Sequence, residues 1–165
     1  MPAPTYFNSA SIPADNGTTA TLTLTVTPPA SMTAGDLVVV LCASKQSATW
    51  SVGVTGGQSW TKNADFSASL PSHFSNIFWC TYNGTWSADP RFDSTSATCT
   101  SAIMHVFRPS DSSFVWNTDV AQDADQFVAP STPFTVTRIG LTTVNDQTVT
   151  LATWGTNDDN TWDTL

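Results

Sequence analysis

Glutamate is absent from this chain of 165 residues, and charged residues of every kind make up only 11% of it. Globular proteins carry about 25% charged residues, and glutamate, lysine and arginine are among those that fill exposed helix positions. The chain instead has 28 threonines and 19 serines, which suit strands and turns. The composition therefore argues against a helical bundle or a doubly wound α/β enzyme.

Basic residues are also scarce, since five lysines and arginines against 13 aspartates give a net charge of −8. That charge repels phosphate backbones and anionic lipid, so we expect neither a nucleic acid nor a membrane as a partner. The longest apolar run, 37–43, is far shorter than the roughly 20 residues that a membrane helix needs. Low charge can accompany disorder, but 40% hydrophobic residues, seven tryptophans among them, provide a core.

The N-terminus has no basic or apolar leader, because Met1 is followed by Pro-Ala-Pro and polar residues. We therefore expect no signal peptide and synthesis in the cytoplasm. Residues 1–13 contain three prolines and are expected to form an extended arm, either lying along a neighbour as an added strand or fraying. Residues 14–165 are expected to form a single domain, either truncated at the C-terminus or completed there by a partner's strand.

Hydrophobic periodicity predicts strands along most of the chain. Residues 20–27 alternate strictly, placing Leu22, Leu24 and Val26 on one face of a half-buried strand. Residues 37–43 are apolar at every position, as in a central strand covered on both sides. Asn145-Asp146 predicts a hairpin turn. Further strands are predicted at 49–55, 59–63, 73–83, 98–107, 113–120, 134–144 and 147–154.

Eight or nine short strands without a credible helix predict two packed antiparallel sheets, because a single sheet of that size must curl or split to bury its apolar face. The expected fold class is all-β, an antiparallel two-sheet β-sandwich of jelly-roll-like type with no significant helix. An up-and-down barrel is the alternative.

Candidates for catalysis are few. His105 lies in an apolar strand and is interpreted as a structural histidine, and His73 lies near a loop. The chain has no Gly-x-Ser-x-Gly motif that would position a serine nucleophile. We expect no catalytic residue and no enzymatic activity. Aspartate pairs of the kind that hydrolyse glycosidic bonds depend on spatial separation, so a glycan hydrolase stays as a distant alternative.

Two acidic segments have the oxygen ligands that calcium prefers, although neither has the spacing of an EF-hand. We expect no cofactor, because solvated acidic loops are the favoured interpretation of these segments, and calcium is the alternative. The widely separated cysteines give no zinc pattern. The candidate calcium ligands are Asp119, Asp123, Asp125, Asp158 and Asp159.

The three cysteines, Cys42, Cys80 and Cys99, form an odd set that argues against a full disulfide framework. Cys80 and Cys99 could face each other across neighbouring strands, but in a chain without a secretion signal we favour reduced, buried thiols.

Most of the tryptophans are expected in the core. Two of them, Trp86 and Trp162, lie in loops beside asparagine or aspartate, an arrangement in which an exposed indole can stack against a sugar ring. They are the candidate residues for carbohydrate binding.

Four segments occur in an order that resembles a loose family of β-sandwich structural proteins of tailed bacteriophages and prophages. These are 28–40 (PPASMTAGDLVVV), 60–61 (WT), 78–80 (FWC) and 102–109 (AIMHVFRP). The resemblance covers most of residues 20–154. The chain departs from the family at Pro109, where a glycine is usual, and in the absence of the family's closing strands.

The resemblance implies a virion structural protein, a capsid decoration, head-fibre or tail-associated subunit that binds other virion subunits and is made in the host cytoplasm. It implies a homo-oligomer located on the particle. The first alternative is a carbohydrate or host-surface binding module, for which a glycan would be the partner.

Overall fold

A computed structural model describes residues 3–12, 22–44, 48–63, 66–68, 73–95, 100–118, 142 and 148–151. These residues contain nine strands and no helix. None of them therefore forms a helix long and apolar enough to cross a membrane. The strands are β1 (Thr5–Ile12), β2 (Thr23–Thr25), β3 (Leu37–Ser44), β4 (Trp50–Val54), β5 (Thr61–Lys62), β6 (Phe66–Ala68), β7 (His73–Thr81), β8 (Arg91–Ser94) and β9 (Ser101–Arg108).

The strands form two antiparallel sheets. The larger sheet has the order β1-β9-β3-β7, and the free edge of β7 is occupied by β5 and β6 in succession. The smaller sheet has the order β2-β8-β4. β3 is central in the larger sheet because β7 pairs with it from Leu37 to Ser44 and β9 pairs along most of its other side. This is the central position that the apolar run at 37–43 predicted.

The chain passes repeatedly between the sheets, and the last two described strands lie between strands from earlier in the chain. β8 lies between β2 and β4, and β9 lies between β1 and β3. This interleaving is typical of a jelly roll, in which strands distant in sequence pair with each other. The prediction of an all-β, two-sheet sandwich of jelly-roll-like type is confirmed.

The core lies between the sheets and is built from one face of each. Side chains alternate along a strand, so the even-numbered residues of β3 and β9 point inward. Ring contact between Phe78 and Phe92, with centroids 5.2 Å apart, joins the two sheets directly. The buried residues on the larger sheet include Val38, Val40, Phe78, Met104 and Val106, and those of the smaller-sheet layer include Leu24, Val26, Trp50 and Phe92.

Some predictions differ from the structure. The strand predicted at 113–120 is wrong for 113–118, where no strand forms. The physical reason is local: Asp111 accepts hydrogen bonds from the N–H and hydroxyl of Ser113, which holds a turn at the start of this segment. Leu22 was predicted on the same buried face as Leu24 and Val26. It lies just before β2 and is exposed, whereas Leu24 and Val26 are buried. The strand predicted at 147–154 is also wrong for 148–151, where no strand forms. The structure does not describe 134–141, 143–147 or 152–154, so the Asn145-Asp146 hairpin lies outside the described residues.

The N-terminal arm expected at 1–13 includes a regular element. Residues Thr5–Ile12 form β1, an edge strand of this chain's own larger sheet, paired antiparallel with β9. Phe7 and Ala10 pack against the core, which fixes the strand in place. The alternating small and apolar residues of this segment carry no charge, and proline flanks it on both sides.

Candidate interaction surface

The described outward side chains in the middle of the larger sheet are mostly apolar and include no carboxylate, lysine or arginine. Since the even-numbered residues of β3 and β9 face the core, the odd-numbered residues face outward, together with their register partners on β7. We call this surface the neutral face. It comprises Leu37, Val39 and Leu41 of β3, Ile77, Trp79 and Thr81 of β7, and Ile103, His105 and Phe107 of β9.

Strand register places these side chains in rows across the sheet. Val39 lies between His105 and Trp79, and the next row places Leu37 between Phe107 and Thr81. Leu37 and Val39 are buried, Thr81 is exposed, and the other members are half-buried. Neighbouring apolar side chains in such rows pack against one another and form a continuous surface.

Tyr6 extends the neutral face onto β1. Its side chain is 56% exposed, and its ring centroid lies 5.8 Å from that of Phe107 in an edge-on arrangement and 6.1 Å from that of His105. A large aromatic residue exposed to this extent beside two further rings adds apolar area at the border of the face.

The opposite surface of the molecule is polar. The outward residues of the smaller sheet include Thr23 and Thr25 on β2, Ser51 on β4, and an ion pair between Arg91 and Asp93 on β8, with Nε 2.8 Å from Oδ1. This is the hydrophobic-in, polar-out pattern of a sheet that faces water. The two outer faces of the sandwich therefore differ in chemistry, and only the neutral face has the composition of a contact surface.

His105 is the only titratable residue of the nine that define the neutral face. Burial lowers the pKa of His105 below its ordinary value, because the half-buried ring loses hydration that would stabilise the cation. The groups facing it are the ring of Tyr6 and its register partners Ser9 and Val39, none of which is charged at neutral pH. The face is therefore neutral at pH 7.

An ion pair borders the neutral face where β3 begins and β9 ends. Asp36 is fully buried, and Arg108 donates to both of its carboxylate oxygens. The backbone N–H of Thr33 donates to the same carboxylate at 2.8 Å, and the Arg108 guanidinium lies 3.9 Å from the centroid of the Phe7 ring. The pair thus connects the loop before β3, the end of β9 and the edge strand β1.

Trp86, a predicted sugar-stacking residue, is half-buried and packs against the core. Its ring is stacked on Tyr82, with centroids 5.2 Å apart, and Gly56 lies directly against it. Nearby, a hydrogen bond joins the loop after β4 to the loop after β7, with Gln58 Nε2 3.1 Å from Asn83 Oδ1. Only part of the indole is left for a ligand.

Other predicted residues lie elsewhere. Trp162 and all five candidate calcium ligands, Asp119, Asp123, Asp125, Asp158 and Asp159, lie outside the described residues. Within the described part of the chain, no three His, Cys, Asp or Glu side chains form a group that could hold a metal ion. Cys42 and Cys80 are buried free thiols, as favoured from the sequence, and Cys99 lies in an undescribed segment.

Most of the neutral face was not predicted from the sequence. The run at 37–43 was predicted to be apolar on both faces, but the matching residues of β7 and β9 were not. The signal was present, because Ile77 and Trp79 alternate with the buried Phe78 and Cys80, and Ile103 and Phe107 alternate with Met104 and Val106. Strands apolar on both faces indicate a sheet that is covered on both sides.

No protein-family model, no curated protein and no solved structure matches the chain.

Proposed function

We propose that this chain is a non-catalytic structural subunit of a bacteriophage particle, a capsid decoration, head-fibre or tail-associated protein that assembles through its neutral face. The observation that carries the proposal is the contrast between the two outer faces of the sandwich. One is polar and contains a partly exposed ion pair, whereas the other presents apolar side chains from three adjacent strands. Apolar sheet faces are removed from water by packing against another surface.

A second copy of the chain is the proposed occupant of the neutral face. A net charge of −8 makes two copies repel each other, so a favourable contact between them needs a region without carboxylates. The neutral face is such a region, and a flat uncharged surface is complementary to itself, as a twofold interface requires. Self-assembly of this kind suits subunits that repeat on a particle.

The phage assignment draws additional support from the segments that resemble phage β-sandwich proteins. Asp36 belongs to the first of these segments and Arg108 to the last, and the fold joins them in an ion pair. Residues 72 positions apart that form a buried contact act as one structural element. The resemblance therefore includes a contact that stabilises the fold.

The test is the mass of the protein in solution, measured by size-exclusion chromatography with multi-angle light scattering over a range of concentrations. The wild-type chain is expected as a dimer or larger assembly. Thr81→Asp adds a carboxylate to the neutral face at an exposed position and is expected to lower that mass. Thr25→Asp is the matched control, because Thr25 is an equally exposed strand threonine on the polar face.

Circular dichroism and thermal unfolding establish that both variants are folded. A strictly monomeric wild-type chain, or equal masses for the two variants, would contradict the proposal. A monomer that binds glycans, with binding lost in Trp86→Ala, would support the carbohydrate-binding alternative instead.

A further inference from the structure

Strand β1 is a long sheet edge without any charged residue. It has eight residues, Thr5–Ile12, and pairs with β9 along one side. Thr5, Tyr6, Asn8, Ser9 and Ser11 are exposed. Natural proteins usually protect exposed edges with lysine, proline or inward-pointing charges, because an open edge is a template for another strand. Inside β1 no lysine, proline or charge is present; its register is irregular between Tyr6 and Asn8, and Asn8–Ile12 pair regularly with β9.

The direction of the backbone groups on this edge follows from the ladder. The N–H of Tyr82 donates to the carbonyl of Asp36. The backbone N–H and C=O groups of even-numbered β3 residues therefore point toward β7, and those of odd-numbered residues point toward β9. The same alternation of backbone groups continues through β9 into β1. The N–H and C=O of Ala10 therefore point toward β9, and those of Ser9 and Ser11 point away from the sheet. In agreement, the N–H of Ser9 donates to its neighbour, Oδ1 of Asn8, at 2.8 Å.

The other sheet edges among the described residues are less suited to accept a strand. β2 has only three residues and is followed by Pro28-Pro29, and β5 has only two, one of them Lys62. β4 has only five residues, and its irregular register between Val52 and Val54 leaves only Trp50–Val52 in regular pairing with β8. Short strands, bulges and an edge lysine all disfavour strand addition.

From this geometry we infer that β1 pairs antiparallel with β1 of a second copy of the chain across a twofold axis at Ala10. In this register Ser9 of one copy lies opposite Ser11 of the other, and the two residues exchange both N–H to carbonyl hydrogen bonds. The N–H of Ser9, which donates to the side chain of Asn8 in the single chain, then donates to the backbone carbonyl of Ser11 in the second copy. The larger sheets of two molecules become one continuous sheet.

A second copy is favoured as the occupant by charge and by symmetry. Any extended strand of another protein can pair with a free edge. Two copies of this chain, each with a net charge of −8, can pair there only at an edge that adds no further charge repulsion. β1 and its neighbours at the register centre are uncharged, and Ser9 and Ser11 are small enough for their side chains to lie opposite each other. This edge is a second interface, independent of the neutral face.

The experiment uses a substitution that removes one outward N–H. Ser11→Pro removes an N–H that does not bond to β9, and proline is tolerated on an edge strand when its nitrogen faces solvent. It adds no charge to the neutral face. Ser11→Ala is the matched control because it keeps the N–H. Both substitutions are placed in the Thr81→Asp background, which removes association through the neutral face, and masses are measured by light scattering.

Two independent twofold contacts predict a wild-type assembly larger than a dimer. Thr81→Asp and Thr81→Asp/Ser11→Ala are expected as dimers, and Thr81→Asp/Ser11→Pro as a monomer. In the Thr81→Asp dimer, hydrogen exchange at the amides of Ser9 and Ser11 should slow as protein concentration rises, because only the second copy protects them.

A monomeric Thr81→Asp variant would overturn the β1 pairing while leaving the neutral-face proposal intact. If instead wild type and Thr81→Asp have the same dimeric mass and Ser11→Pro alone yields monomers, the β1 pairing holds and the neutral-face proposal fails. Concentration-independent exchange at both amides would also overturn the pairing.

Discussion

Arg108 donates from Nε and Nη2 to the two carboxylate oxygens of Asp36, each at 3.0 Å, although 72 positions separate the residues in the chain. Asp36 is fully buried, whereas the Arg108 side chain is 34% exposed. The hydrogen bond with Asp36 raises the pKa of Arg108, so the guanidinium is charged at every accessible pH. The pair fixes the start of β3 against the end of β9.

Removing Arg108 is expected to destabilise the fold strongly, because it leaves a buried carboxylate without its cation. We expect Arg108→Ala to lower the free energy of unfolding by about 3 kcal/mol, the lower end for broken buried pairs, since water reaches part of the guanidinium. Urea denaturation followed by tryptophan fluorescence measures it. Arg91→Ala, which breaks the exposed pair with Asp93, should have a much smaller effect. Equal effects would contradict this role for Asp36 and Arg108.

Gly56 is expected to tolerate no side chain. Its φ is +64°, and a Cβ there would lie 2.6 Å from Cε3 of Trp86 and 2.7 Å from the carbonyl oxygen of Ala88. Gly56→Ala should lower the free energy of unfolding by about 2 kcal/mol or more, from backbone strain and displaced packing. Gly57→Ala is the comparison: its φ is +83°, but the nearest atom, Oγ of Ser87, is 3.2 Å away. Thermal unfolding should rank Gly56→Ala as the less stable variant.

Protonation of His105 is expected to make stability depend on pH. Burial lowers the pKa of His105 in the folded state, so below pH about 6.5 the unfolded chain binds more protons at this residue than the folded chain. The contribution of His105 to the free energy of unfolding should therefore be constant well above that pH and should fall as the pH decreases below about 6.5. His105→Gln should remove the His105 contribution to this slope. An unchanged slope in His105→Gln would contradict the assignment.

The two buried thiols are expected to resist alkylation in the folded protein. Burial raises the pKa of Cys80 to about 12 and raises that of Cys42 further, so neither forms a reactive thiolate near neutral pH. Iodoacetamide labelling at pH 8, read by peptide mass spectrometry, should modify both residues only when urea unfolds the chain. Rapid labelling of either residue under native conditions would show that the site opens locally.

Much of the fold was predictable because hydrophobic periodicity reports local geometry. The run at 37–43 became β3, and the pattern at 49–55 became β4, with Trp50 buried as a core residue. Prediction failed for short elements whose identity depends on partners. Four residues, Arg91–Ser94, form β8 because β2 and β4 flank them on both sides, and nothing in that segment alone requires a strand.

The interaction surface was less predictable than the fold. Trp86 was selected for its position in a loop, but its ring is stacked on the nearby Tyr82 and lies against Gly56 of another loop, and these contacts leave little of the ring free. The residues of the neutral face lie in strands whose apolar sequences resemble those of ordinary core strands. Their outward side became evident only when register aligned Trp79 and His105 with Val39.

Composition and alternation by themselves determined the class of this protein: a strand-forming, acidic chain that must fold into two sheets, because side-chain period and propensity are local properties of the sequence. Tertiary structure alone decided which strands became neighbours, and with that the burial of Asp36 against Arg108, the neutral face and the open edge at β1. Those features arise from pairings between segments as far apart as β1 and β9, and no local pattern encodes a register between strands so distant in the chain.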